Sequence, residues 1–465
     1  MGDTHSALQL RQLPGRRAEP NGWIPAWGRS ALIKSTVIAS TDARRGSMSN
    51  TVEISLEAVL DTANMERAWA GVKANAGSGG VDGKGIAETE AHLKCHWPVI
   101  REKLLRGDYR PAAVRAVDIA KPGGGTRRLG IPTVQDRLIQ QALHQVLSAA
   151  FDGDMSEHSW GFRPGRSAHD AVTAARGYVA DGKEWVADID LARFFDQVNH
   201  DRLMHLLGQR ISDKRIMTLI GGYLRAPMDE GDGRHIRRSR GTPQGGPLSP
   251  LLANLYLDVL DRELEQRGLS FVRYADDIAV FVASERAAER VLERLTRWLH
   301  THLDLDVNAT KSGARRTEAS ALLGFRIHPG GQVSPAPKAI ERFKDRVREL
   351  WDARQSLTSE QLREQWQRYV TGWWNYFGYA NWRREVHALS GWVRRHMRKC
   401  FWLRWHDRHG RFNALRRLGV RGRALGVAGC RRGAWFMARH IVVNQALKTA
   451  TLHRHGFTLP WTLAG

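Results

Sequence analysis

Two adjacent aspartates set between two apolar runs constrain this chain of 465 residues more than any other feature. Phe271-Val272-Arg273-Tyr274 leads in, Ile278-Ala279-Val280-Phe281-Val282 leads out, and Ala275-Asp276-Asp277 lies between them. The flanking runs read as core strands, so Leu269 to Val282 is predicted to be a β-hairpin with the aspartates at its tip. Clustered carboxylates repel one another and resist ionisation unless a cation neutralises them. A turn carrying two of them on core strands therefore invites a divalent ion, and hard oxygen donors suit Mg²⁺. Taken alone, such a turn is more often just polar.

A second segment changes the balance. Val186-Ala187-Asp188-Ile189-Asp190-Leu191-Ala192-Arg193-Phe194-Phe195-Asp196 is an apolar strand that ends in carboxylate, with aromatics following. If this strand and the hairpin are neighbours, one aspartate from it converges with Asp276 and Asp277. The result is the ligand set of a two-metal phosphoryl-transfer site. One ion activates an attacking hydroxyl, and the other holds a triphosphate and the leaving pyrophosphate.

Charge supports a polyanionic partner. The formal net charge is +23, and the pI is near 10.6. Such a surface repels itself unless it meets nucleic acid or an anionic membrane, and nucleic acid leads. No run of about 18 apolar residues is present, so no membrane span or membrane partner is expected. The N-terminus lacks the continuous apolar core of a secretory signal, so none is expected. Cys95, Cys400 and Cys430 stand far apart, which argues against a disulfide framework or a cysteine-rich zinc site. These features together suggest a soluble, cytoplasmic protein.

Along the chain, residues 1–50 read as a flexible leader, with Met48 an alternative start. Residues 51–110 are helical, broken by the glycine-rich stretch from Gly77 to Gly83. In 111–335, strands Val114 to Ala120 and Arg127 to Ile131 flank a turn at Lys121-Pro122-Gly123-Gly124-Gly125. Helices are predicted over Leu138 to Phe151, Pro247 to Arg267 and Glu285 to Leu303, and a strand over Trp185 to Ile189. This interleaving indicates an α+β catalytic domain. Residues 336–465 are helical and basic. Residues 381–440 hold 16 Lys or Arg against two acidic residues, with five tryptophans interleaved. Arginine grips phosphates, and tryptophan stacks on bases, although most of these rings suit a helical core.

Tyr274-Ala275-Asp276-Asp277 resembles the signature of reverse transcriptases, and the segment from Asp190 to Phe195 is similar to their first catalytic motif. The resemblance implies a right-hand polymerase: fingers and palm, then an α-helical thumb. It implies that Asp190, Asp276 and Asp277 are the catalytic metal ligands for two Mg²⁺, with Asp188 and Asp196 supporting. Phe195 would be the gate against a ribose 2′-hydroxyl, favouring deoxynucleoside triphosphates, and Phe194 a core aromatic. Gln244, in the loop Arg240-Gly241-Thr242-Pro243-Gln244-Gly245-Gly246-Pro247, would lie nearest the base pair. Its glycines would let backbone approach a ligand. Lys121 and Arg128 would close over the triphosphate, Lys311 would act near the pyrophosphate, and Leu323-Gly324-Phe325 resembles a primer grip.

Further segments narrow the family. They are Gly79-Gly80-Val81-Asp82-Gly83, the run from Arg128 to Arg137, the run from Gly161 to Asp170, and Gly372-Trp373-Trp374-Asn375-Tyr376-Phe377-Gly378. Together they resemble group II intron-encoded reverse transcriptases, with an N-terminal extension at 51–110 and a maturase thumb, domain X, at 336–465. That likeness implies a partner intron RNA, target DNA and a primer–template duplex, with splicing assistance and retrohoming. It also implies RNA contacts at Arg394, Arg395, Arg398, Lys399, Arg404, Arg416 and Arg417. No Cys/His-rich endonuclease is expected, so primers would come from existing DNA 3′ ends. Two alternatives stay open at this point: a domesticated enzyme of DNA repair or phage defence, and a splicing-only RNA-binding maturase.

Overall fold

The computed structural model describes residues 54–462, apart from 121–125, 232–234 and 237. The expected leader and the turn with Lys121 lie outside the described residues. The strands are β1 (Val114–Ala120), β2 (Thr126–Ile131), β3 (Trp185–Asp190), β4 (Met228–Asp229), β5 (His235–Ile236), β6 (Ser270–Tyr274), β7 (Asp277–Val282), β8 (Gly313–Arg316), β9 (Phe325–Ile327) and β10 (Val333–Pro335). The first ten helices are α1 (Leu56–Val59), α2 (Thr62–Ala74), α3 (Ile86–Arg106), α4 (Val134–Phe151), α5 (Ala168–Ala180), α6 (Phe194–Gln197), α7 (His200–Gly208), α8 (Lys214–Arg225), α9 (Ser249–Gln266) and α10 (Glu285–Trp298). Four longer helices follow, α11 (Pro337–Leu350), α12 (Ser359–Phe377), α13 (Arg383–Arg404) and α14 (Arg408–Arg417), before shorter ones near the C-terminus.

The chain divides into two compact units. One runs to Ala150 and adds Ile211–Arg238 and Gln244–Leu248. Its sheet has the order β2-β1-β4-β5. A buried carboxylate organises it: Asp136 accepts from the Tyr109 hydroxyl at 2.8 Å, the Thr133 hydroxyl at 2.8 Å and the Ala112 N–H at 3.2 Å. Burial pushes the Asp136 carboxyl up, and those donors pull against it. The Thr133 hydroxyl also accepts from the Asp136 N–H at 3.1 Å. That cap starts α4 at Val134, ahead of the predicted Leu138.

The other unit comprises Phe151–Arg210, Ser239–Pro243 and Ser249–Gly465. Its four-stranded sheet, order β6-β7-β3-β8, is antiparallel at every pairing. One continuous apolar core runs from Ala171 and Val172 on α5, through Val272 and Phe281 of the sheet, to Phe343, Trp366, Val393 and Trp402 on the later helices. The boundary expected at residue 335 falls inside this unit. Asp277 is a correction to the sequence reading. It opens β7 and pairs with Tyr274, so the tip is Ala275-Asp276 alone. Ala275, at φ 58°, makes the left-handed turn.

Arg273 is an arginine in an apolar strand, and its side chain has no exposure to solvent. Its guanidinium forks onto Asp261 of α9, at 2.7 and 2.6 Å, and that carboxylate is equally sealed. It also donates to Asn254 Oδ1 at 2.9 Å, Ser159 Oγ at 2.7 Å and the Ala275 carbonyl at 3.0 Å. The strand that carries the turn is thus tied from behind to a helix and to a loop. Gly161 closes the same corner, because a Cβ there would lie 2.4 Å from the Ala275 nitrogen. Replacing Arg273 with Met leaves Asp261 charged and buried without its partner. Such losses cost about 3–5 kcal/mol. Urea unfolding should show a drop of that order, and a loss under about 1 kcal/mol, the scale of an exposed pair, would contradict the role assigned to Arg273.

Candidate active site

Antiparallel pairing of β3 with β7 places Asp190 directly opposite Asp277. Asp276 precedes Asp277 on the turn that Arg273 holds. The second unit therefore brings Asp190, Asp276 and Asp277 to one end of one sheet. The Asp190 backbone is pinned on both sides: its N–H donates to Ser312 Oγ at 2.9 Å, and its carbonyl accepts from the Asn308 N–H at 2.8 Å. Lys311, on the same loop, donates to both Asp190 carboxylate oxygens, at 3.2 and 3.1 Å.

The electrostatics show an excess of negative charge. The Asp277 carboxyl is pushed up to about 6, first by protein displacing water around it, then by Asp276, Asp190 and Asp188, while Lys311 pulls it down. The residue as a whole keeps an open surface, so the carboxyl can be reached from solvent although its surroundings are crowded. Asp188 is also raised, by burial first. Ser320 and Arg315 offset this, each 3.1 Å from its carboxylate. Among the described residues no group of three His, Cys, Asp or Glu side chains already stands in metal-holding geometry. What the site offers is hard carboxylate oxygens in register, charge that a cation would relieve, and an ammonium seated on Asp190 in this structure.

Around the carboxylates, Phe194 is buried in the core and Phe195 is half-buried, with ring centroids 5.3 Å apart and edge to face. Asp196 is exposed. Phe325, in the segment likened to a primer grip, is wholly buried, and the Leu323 carbonyl before it accepts from the Tyr376 hydroxyl at 2.8 Å.

In the first unit, Gln244 accepts the Arg127 Nε–H on its side-chain oxygen at 2.5 Å and the Gly130 N–H on its carbonyl at 2.9 Å. Arg128, on the opposite face of β2, is held by Asp118 and Glu230. Of the two neighbours, Arg127 is the one beside Gln244. Sequence reasoning passed it over, and the twofold alternation of a strand is the signal that separates them. The glycines after Gln244 answer to the protein itself. A Cβ on Gly245 would lie 3.0 Å from the Gly130 carbonyl, and one on Gly246 would lie 2.3 Å from the Gln140 side chain.

The basic residues named for RNA fall into two groups. Arg398 donates to the Leu447 carbonyl and Arg404 to the Leu357 carbonyl. Burial, with Arg394 nearby, lowers Arg398 to about 10. Arg394 and Lys399 are half-buried. Arg395 lies 3.7 Å from the centre of the Trp435 ring. Arg416 and Arg417 are exposed. Of the interleaved tryptophans, Trp382 and Trp402 are core, while Trp435 is 39% exposed.

A pH dependence follows from Asp277. Its carboxyl in the fold sits above its ordinary 3.8, so ionising it costs the folded state stability. That cost is absent below about pH 4, grows through about pH 6 and is complete above it. In metal-free buffer, Asp277→Asn should melt above the wild type by a margin that widens over that window, and added Mg²⁺ should narrow it. A margin that is flat with pH, or widest in acid, would contradict the crowding of charge.

The family described as "Reverse transcriptase (RNA-dependent DNA polymerase)" matches residues 119–327, and "Group II intron, maturase-specific domain" matches residues 340–419. Protein YkfC of Escherichia coli is 34% identical over 272 residues, covering 50% of this chain and 71% of that protein. The group II intron-encoded protein LtrA of Lactococcus lactis is 39% identical over 175 residues, covering 37% of this chain and 29% of LtrA. A solved "Partial Cas6-RT-Cas1--Cas2 complex" is similar over 58% of this chain and 46% of that chain, at 23% identity and a TM-score of 0.35. Within the described residues no helix is long and apolar enough to cross a membrane. The chain belongs to the reverse transcriptase family, in the group II intron-encoded branch that joins an RNA-directed DNA polymerase domain to a maturase-specific domain.

Proposed function

We propose that this protein copies RNA into DNA from deoxynucleoside triphosphates and binds its parent group II intron RNA, assisting splicing and retrohoming by target-primed reverse transcription. The observation that carries the reading is the register that sets Asp190 against Asp277, with Asp276 on the adjoining turn. Those three carboxylates would hold two Mg²⁺, which supply charge neutralisation and an activated 3′-hydroxyl when bound. The remaining roles belong to the chain's own groups. Lys311, already bonded to Asp190, keeps a cation beside the reacting phosphates as negative charge develops. Phe195 presents an aromatic edge to the sugar. In the first unit, the bond from Arg127 steadies the Gln244 side chain, the candidate for contact with a base.

The maturase domain supports the RNA partner. Exposed Arg416 and Arg417, and Arg395 beside Trp435, offer phosphate grips and a stacking face. Target DNA and the primer–template duplex would be bound through the same excess of charge, which would place the protein at the nucleoid during integration. Asp276→Ala separates the two activities. It should abolish primer extension and leave affinity for intron RNA nearly unchanged, measured by filter binding at fixed salt. A large affinity loss would contradict the division of roles. Raising salt should weaken RNA binding steeply, because phosphate contacts release counterions.

A further inference from the structure

The loop from Arg240 to Thr242 clamps the main chain behind Phe195. The Thr242 N–H donates to the Phe195 carbonyl at 2.7 Å, and the Gly241 N–H donates to the Val198 carbonyl at 2.8 Å. Gly241 has φ 83°, and a Cβ there would lie 2.8 Å from the Phe195 carbonyl oxygen and 3.0 Å from the Asp196 Cα. Both contacts are with backbone, which cannot swing aside as a flexible side chain can. The Gly241 carbonyl in turn accepts from the ring Nε2–H of His200, at 2.7 Å, and His200 is buried.

On the side of Phe195 away from the clamp, its backbone follows Arg193, at φ 46°, and the Asp196 N–H closes back on the Arg193 carbonyl at 2.8 Å. Phe194 is locked in the core. The Phe195 main chain is thus held on both sides, and how closely the loop approaches its carbonyl sets where the ring is rooted. Discrimination against one hydroxyl requires a rigid obstacle, because a wall that yields a few tenths of an ångström admits the larger sugar.

We propose that Gly241, anchored by His200, is a specificity-determining positioning residue that fixes the Phe195 ring and so sets the preference for deoxy- over ribonucleotides. This rests on the reading of Phe195 as the sugar gate. Gly241 touches no substrate; it acts through the Phe195 backbone. Any side chain at 241 pushes the 195–196 main chain away, and loss of the His200 donor loosens the loop that holds it.

The test is steady-state primer extension with a deoxynucleotide and its ribonucleotide counterpart, reading kcat and KM for each. Phe195→Val, Gly241→Ala, His200→Phe and the Phe195→Val combinations are compared at matched folding, checked by thermal melting. Gly241→Ala should lower the discrimination ratio by about tenfold, mainly through KM for the ribonucleotide. In the Phe195→Val background it should change the ratio no further, since both act on one ring. If Gly241→Ala does not fold, His200→Phe carries the same expectation. A Phe195→Val enzyme with the wild-type ratio would overturn the gate reading itself. A relaxed Phe195→Val beside unrelaxed Gly241→Ala and His200→Phe would overturn the positioning role alone. So would an equal fall in both nucleotides' kcat, or an additive effect in the Phe195→Val background.

Discussion

The guanidinium of Arg273, sealed from water, bonds to Asp261, Asn254, Ser159 and the Ala275 carbonyl at once. Burying such a charge is costly, and only a nearly complete set of partners offsets it. Those partners lie on α9, on the loop near residue 160 and on the turn itself. The arginine therefore fixes where the hairpin tip stands relative to the rest of its unit. Gly161 allows the loop to approach that tip, and Asn254 also donates to the Gly161 carbonyl at 2.8 Å. The anchorage holds the left-handed turn at Ala275, next to the register that faces Asp277 to Asp190.

On that rigid base stands a site whose charges are out of balance. Burial, then the three aspartates at 276, 190 and 188, push the Asp277 carboxyl up to about 6. Arg315 answers Asp188 and Lys311 answers Asp190. A fold that served stability alone would have replaced such a cluster with apolar residues, since crowded carboxylates weaken the folded state. The cluster makes sense as the anionic half of a metal site. Loop 308–312 serves both halves, since it pins the Asp190 backbone and supplies the lysine.

Much of this was legible before any coordinates. Strand β1 falls where the run from Val114 to Ala120 placed it, and the hairpin of β6 and β7 matches its apolar flanks. The pairing of the Asp190 strand with the hairpin was expected as a condition and is observed as a register. What stayed hidden has physical reasons. Arg273 sits inside an apolar run, and nothing local tells a buried arginine from one at a strand edge. Asp277 was assigned to the tip because pairing with Tyr274 depends on a turn of two residues, which the run of letters does not show. Strands β8 to β10 are only three or four residues long, too short for a period to be read. Arg127 and Arg128 differ only in which face of β2 they occupy, and that needs the register with β1.

The polymerase activity is tested most directly by extension of a DNA primer annealed to an RNA template by the purified wild-type chain, with Mg²⁺ and all four deoxynucleoside triphosphates. DNA product should reach the end of the RNA template and should be lost when the metal is chelated. Folded protein that binds the duplex and extends nothing would contradict that activity.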